Sequence, residues 1–238
     1  MLGTFDIERR YCGPTGIANG GYACGVIASF APGPVTVRLL KPTPLETPLT
    51  VERREAGFDV LHDSTLVAQA RDGGLGELAP PPAPTLDEAA AASERYGGFA
   101  RHPAPECFVC GPRRSAGDAL CIFAGPTGAP GVAAAPWTPH ASLDRGDGTV
   151  DARFVWSALD CPGFAAAAPD MRPMLLGELT VRIDRPVAVG EPHIVVGWVI
   201  GGSGRKHEAG TAIFDARGGV CAVGRAIWIE PRESSPGA

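Results

Sequence analysis

Several short runs in this 238-residue sequence carry side chains suited to chemistry. Cys107 and Cys110 have the Cys-x-x-Cys spacing of half a zinc site, with His102 and Cys121 the nearest further ligand types. No second Cys-x-x-Cys follows and a structural zinc needs four ligands, so the run reads as a turn and no metal is expected. Asp160 stands in Trp156-Ser157-Ala158-Leu159-Asp160-Cys161-Pro162-Gly163, where strand-like Phe154-Val155-Trp156 gives way to a helix starting near Pro162. Asp is a favoured N-cap and Pro an early helical residue, so capping is one role open to this carboxylate. Asn19-Gly20-Gly21 opens an apolar run. Glycine there permits close backbone approach and leaves helix-start N–H groups free for a carbonyl, although the same glycines serve tight packing. Arg205-Lys206-His207 follow Gly201-Gly202-Ser203-Gly204, which reads as a turn. These cations suit a small phosphate-bearing anion, and a solvated basic turn has the same composition.

Other chemistries are excluded by what is missing. There is no Gly-x-Ser-x-Gly nucleophile elbow and no P-loop, and Gly202-Ser203-Gly204 lacks the rest of a dinucleotide fingerprint. Lys and Arg number 21 against 26 Asp and Glu, a net charge of -5, so a nucleic-acid partner has no electrostatic support. No stretch approaches the ~20 apolar residues of a membrane span. The start lacks an apolar leader segment, and a cytoplasmic protein with no membrane partner is expected. Seven scattered cysteines, an odd number, read as reduced thiols. His62, His140 and His193 stand apart from one another in segments without a matching carboxylate pattern, and the four tryptophans read as core and sheet-face residues.

The elements that must position these residues show in the patterning. Ala18 to Ala31 is almost wholly small or apolar, the signature of a helix surrounded on every side. Val35–Leu40, Leu49–Arg53, Phe58–His62 and Thr65–Arg71 read as strands, several alternating apolar with polar residues. Pro80-Pro81-Pro82-Ala83-Pro84 breaks the pattern and reads as a linker, after which Thr85 and Glu88 predict a capping box and a short helix ending at Gly97-Gly98. Gly 32 and Pro 24 imply many turns.

The order then repeats. Thr36-Val37-Arg38-Leu39-Leu40-Lys41-Pro42 matches Thr180-Val181-Arg182-Ile183-Asp184-Arg185-Pro186 at an offset of 144, and Pro48 matches Pro192 at the same offset. Gly21-Tyr22-Ala23 resembles Gly163-Phe164-Ala165, and Leu66-Val67-Ala68 resembles Val220-Cys221-Ala222. Two unequal copies of one helix-and-sheet unit are expected, the second with extra segments at Leu120–Phe123 and Val150–Trp156.

With these residues the sequence resembles the double-hotdog proteins of the acyl-CoA thioesterase superfamily over nearly its whole length. Ala18-Asn19-Gly20-Gly21-Tyr22 is similar to the His-Gly-Gly helix start of many such enzymes. Cys107-Phe108-Val109-Cys110-Gly111 is similar to the opening of PaaI-type units, and the Trp156–Gly163 run completes the order. The resemblance implies an α+β fold of two hotdog units, each a sheet wrapping a helix, at 1–76 and 105–232. A linker with its helix would span 77–104, and a frayed tail 233–238.

It further implies thioester hydrolysis at the junction of the units, on acyl-CoA or an acyl carrier protein, with no cofactor. Asp160 takes the place of the catalytic carboxylate that activates water, and Gly20, Gly21 and Gly163 that of the helix-start donors to the oxyanion. Asn19 stands where the family commonly has His, and Thr180 falls near the hydroxyl that helps hold the water. Arg205 and Lys206 would meet CoA phosphates. The family's Gln has no counterpart around Gly224-Arg225-Ala226, which leaves a silent acyl-CoA-binding protein as the alternative. Hydration of enoyl-CoA is disfavoured, because Ala165 and Ala166 occupy the places where a hotdog hydratase has His. A monomeric pseudo-dimer or a homodimer is expected.

Overall fold

In the computed structural model, which describes residues 1–232, the chain begins with β1 (Gly3–Phe5), α1 (Gly20–Ala28), β2 (Val35–Leu39), β3 (Leu49–Arg54), β4 (Gly57–His62) and β5 (Thr65–Asp72). The frayed tail expected at 233–238 lies outside the described residues. The four strands expected here all form, and the short β1 joins them by pairing antiparallel with β3. Leu49 and Val51 are buried while Thr50 and Glu52 are half-exposed, as alternation requires. The β4–β5 ladder shifts register between Val60 and Leu61. That bulge places Val67 as well as Ala68 in the core, so the simple alternation expected for β5 breaks there.

The remainder comprises α2 (Leu86–Ser93), β6 (Gly125–Pro126), β7 (Val132–Trp137), α3 (Ala152–Ala158), α4 (Cys161–Ala167), β8 (Leu175–Ile183), β9 (His193–Ser203), β10 (Lys206–Asp215) and β11 (Val220–Ile229). Phe154-Val155-Trp156, strand-like in sequence, lies within α3. All three side chains are buried, and a short apolar run cannot reveal by periodicity which element buries it. Leu120–Phe123 forms no regular strand; it is held by amide bonds from Leu120 to the Phe108 carbonyl and from Ile122 to the Val109 carbonyl, 2.9 and 2.8 Å. The glycine-rich turn is also tighter than expected. β9 continues to Ser203, which pairs with Lys206, leaving Gly204, at φ +58°, and Arg205 as the turn.

Among the described residues, eleven strands form one sheet in the order β1-β3-β4-β5-β2-β8-β11-β10-β9-β7-β6. The two expected copies meet at its centre, where β2 and β8 run antiparallel with Thr36 opposite Thr180, Val37 opposite Leu179 and Arg38 opposite Glu178. This is the tandem hotdog arrangement. Helix α1 packs on β2 and β8 and against α3, whereas α4 packs on β7, β9 and β10. Close approach of α1 to α3 depends on Gly21 and Gly25, four residues apart on one helix face. A Cβ on Gly25 would lie 2.8 Å from Arg153 Cα, and one on Gly21 would lie 2.5 Å from Asp160 Cβ.

The segment joining the copies also covers part of the sheet. Val195 and Ile213 belong to the core on the helix side. Their strand neighbours Ile194, Val196, Ala212 and Phe214 form a second cluster with Leu75, Ala89 and Ala92 on the opposite face. Helix α2 is therefore an apolar cover for the outer face of the second copy. Its capping box forms: Glu88 N–H donates to Thr85 Oγ1 at 3.2 Å and Thr85 N–H to Glu88 Oε2 at 2.7 Å. The helix ends at Ser93, and Gly97–Phe99 makes a separate 3-10 turn rather than its last residues. No described helix is long and apolar enough to cross a membrane.

Candidate active site

Asp160 occupies the N-cap position of α4 but its side chain makes no capping bond there. The carboxylate reaches instead to the start of α1, where Oδ2 accepts the Gly21 amide at 2.8 Å and Asn19 Nδ2 at 2.9 Å. Asn19 is itself the N-cap of α1, its Oδ1 accepting Tyr22 N–H at 2.9 Å. One amide side chain thus caps a helix and fixes a carboxylate, and both residues are buried. Burial raises the Asp160 pKa to about 7 against the lowering pull of the Gly21 N–H; neighbouring Cys107 raises it further and Asn19 opposes.

Asp160 opens on a cavity of about 510 Å³ between the two copies. Leu39, Leu40, Phe164, Met174, Leu176 and Ile229 give it apolar walls. Among the described residues, three buried side-chain polar atoms lack a hydrogen-bond partner: Asp160 Oδ1, Thr43 Oγ1 and Trp228 Nε1. All three belong to residues lining this one cavity. Buried polar groups are almost always paired, so an acceptor, a hydroxyl and a donor left free around one space mark a place for a polar ligand or water.

The other expected site residues divide sharply. Asn19 and Gly20 line the cavity with Asp160. The Gly21 N–H is committed to Asp160 and is not a free oxyanion donor. Gly163 N–H is likewise engaged by the Asp160 carbonyl at 3.1 Å. Gly163 serves packing, since a Cβ there would lie 3.2 Å from Ala209 Cβ and Thr211 Cγ2. Thr180 does not join the water site. Its strand neighbours Leu179 and Val181 face the helix-side core, so alternation turns Thr180 away, and its Oγ1 pairs with Thr36 Oγ1 at 2.7 Å. Arg205 reaches the cavity lining and donates to the Glu230 carbonyl at 2.7 Å, whereas Lys206 is exposed outside it.

Sequence reasoning missed Lys41, Thr43 and Trp228, all cavity-lining. Lys41 had one visible signal: it is one of two lysines in the chain and directly follows the repeated strand. It also missed a convergence of sulfurs. Cys107, Cys110 and Cys161 place their Sγ atoms within 4.8 Å of one another in the cavity wall. Cys121, the ligand type suggested by sequence proximity, is outside this group. Hydrogen bonds from Cys110 and Cys161 hold the Cys107 thiol well below its ordinary pKa, while those two are pushed up.

No family model and no curated protein matches the sequence. Solved structures resemble it over nearly its whole length. The tesB protein of Mycobacterium avium subsp. paratuberculosis aligns with TM-score 0.62 at 12% identity, covering 96% of this chain and 92% of its own. A candidate thioesterase of Novosphingobium aromaticivorans gives 0.58 at 16%, covering 96% and 94%. A candidate thioesterase II of Thermobifida fusca gives 0.57 at 16%, covering 96% and 92%. Identity this low carries the fold and not the activity. With one sheet built from two antiparallel halves joined at Thr36 and Thr180, and helices packed on its inner face, the chain is a double-hotdog protein.

Proposed function

We propose that the chain hydrolyses a thioester, of acyl-CoA or of an acyl carrier protein, in the cavity beside Asp160. The observation that supports this reading is the set of three unpaired polar atoms on one apolar-walled cavity, with a carboxylate among them. Asp160 Oδ2 is fixed by Asn19 and Gly21, and Oδ1 is left to accept a proton from water. That water adds to the thioester carbonyl. Asp160 then passes the proton to the departing thiolate, giving a carboxylic acid and a thiol. The oxyanion that forms in between needs donors. Of the first amides of α1, Gly21 and Tyr22 are engaged, which leaves Gly20, and Trp228 Nε1–H is a second unpaired donor. The apolar wall takes the acyl chain, and Lys41 and Arg205 are the cations placed to meet phosphates of a CoA arm.

The test is thiol release from a panel of short, long and aromatic acyl-CoA and pantetheine thioesters. Turnover of at least one, lost in Asp160→Asn, supports hydrolysis. Saturable acyl-CoA binding without turnover would replace it with the silent-carrier reading.

A further inference from the structure

The three cysteines in the cavity wall make a second kind of site. Cys107 and Cys110 come from the turn that follows the linker, and Cys161 is the first residue of α4, 54 residues after Cys107. Nothing about core packing requires three sulfurs to meet, yet their Sγ atoms lie within 4.8 Å of one another and all three residues are buried. The Cys107–Cys161 separation is 3.8 Å. Two sulfurs each ~2.3 Å from one tetrahedral zinc lie ~3.8 Å apart, whereas a disulfide requires ~2.05 Å.

The surroundings suit thiolates. Asn19 Nδ2 faces Cys107 Sγ at 3.7 Å and Cys161 Sγ at 3.9 Å. His102 Nδ1 accepts the Ala104 amide at 2.8 Å, so the neutral ring carries its proton on Nε2, 3.4 Å from Cys110 Sγ. In that tautomer His102 is a donor to a ligand sulfur and not itself a ligand. Metal-bound sulfurs are commonly fixed by such outer hydrogen bonds.

We propose that Cys107, Cys110 and Cys161 bind one borderline-soft divalent cation of the zinc class through three thiolates, with the fourth coordination position open to the cavity. Binding displaces the thiol protons to solvent, leaving a site of net charge -1 whose remaining ligand is water or a substrate atom. An open fourth position distinguishes it from a closed structural zinc centre. The site does not depend on thioester hydrolysis, and its test does not use that activity.

Full-length protein is prepared under reducing conditions, its zinc content measured, and the metal-stripped protein titrated with Co²⁺. The expected result is one equivalent of metal and a sulfur-to-cobalt charge-transfer band that saturates at one equivalent, with Zn²⁺ displacing the Co²⁺. Cys107→Ser and Cys161→Ser each weaken Co²⁺ binding at least tenfold, while Cys121→Ser leaves it unchanged. Thiol titration gives a check that needs no variant: Zn²⁺ protects three of the seven cysteines from a thiol reagent. The proposal is overturned if folded protein gives no charge-transfer band, or if the band survives intact in both serine variants. Loss of two hydrogens in the mass, mapped to these cysteines without metal, overturns it in favour of a disulfide.

Discussion

Thr36 and Thr180 stand 144 residues apart and face each other across β2 and β8, their Oγ1 atoms 2.7 Å apart. That separation is also the offset of the internal repeat, so each threonine is the other's counterpart. In an antiparallel pair only one cross-strand couple can be its own image under the two-fold that exchanges the copies, and this is that couple. The centre of the sheet is the pseudo-symmetry axis, closed by a hydroxyl pair on the face away from the helices.

A double-mutant cycle on this pair should show it is structural. Thr36→Val and Thr180→Val are each expected to cost about 1 kcal/mol, with a coupling of about 0.5 kcal/mol in urea unfolding. Turnover in Thr180→Val should match the parent. A hundredfold loss in kcat without loss of fold would instead return Thr180 to the water site.

Asp160→Asn keeps an oxygen that can accept from Asn19 Nδ2 and Gly21 N–H, so folding should survive. Hydrolysis should fall about 10²- to 10⁴-fold, the ordinary contribution of a positioned base. Steady-state kinetics on the best substrate, with circular dichroism to verify the fold, checks both halves of this expectation.

Much of this fold is written locally. The apolar run of α1, the strands β2 to β5 and the Thr85–Glu88 capping box depend on residues near one another in sequence, and each forms. The repeat announced two copies, but that its matched segments pair with each other at the centre of the sheet is seen only in the structure. The site was less legible for a physical reason. Asp160 looks like a cap because it has a cap's position, but the break between α3 and α4 aims its carboxylate at a helix 139 residues away. Cys161 joins Cys107 and Cys110 through the same break. Thr43 and Trp228 matter because their polar atoms are left unpaired, a property of packing and not of residue type.

Glycine substitutions separate close packing from open surface. Gly25→Ala pushes a Cβ to 2.8 Å from Arg153 Cα, a backbone atom that cannot swing aside, and should cost about 1–3 kcal/mol. Gly33→Ala meets nothing within 4 Å and should be neutral or stabilising by about 0.5 kcal/mol. Thermal unfolding of the two variants beside the parent gives the comparison directly.

Asp59 supplies a pH dependence of stability. Burial alone would raise its pKa, but Arg54 Nε at 2.8 Å, Gln69 Nε2 at 2.9 Å and Arg71 at 3.6 Å outweigh burial, and the folded value lies below the ordinary one. A depressed carboxylate contributes stability that is complete above its unfolded pKa of ~4 and lost as pH falls through the folded value. Asp59→Asn should therefore lose on the order of 1 kcal/mol at pH 7, and the gap to the parent should close in acid. Urea midpoints measured from pH 7 down to pH 3 would reveal a constant gap if the carboxylate charge were irrelevant.

Asn19 and Asp160 are the caps of α1 and α4, the helices that precede the two junction strands β2 and β8. Two identical caps meeting at this distance would make a poor pair. A pair of carboxylates 2.9 Å apart would have to share a proton, and a pair of amides would contain no base. Within one chain the two halves need not be alike, and an amide stands at one cap and an acid at the other. The contact is thus made between unlike groups, the first half lending the donor and the second the acid that accepts it.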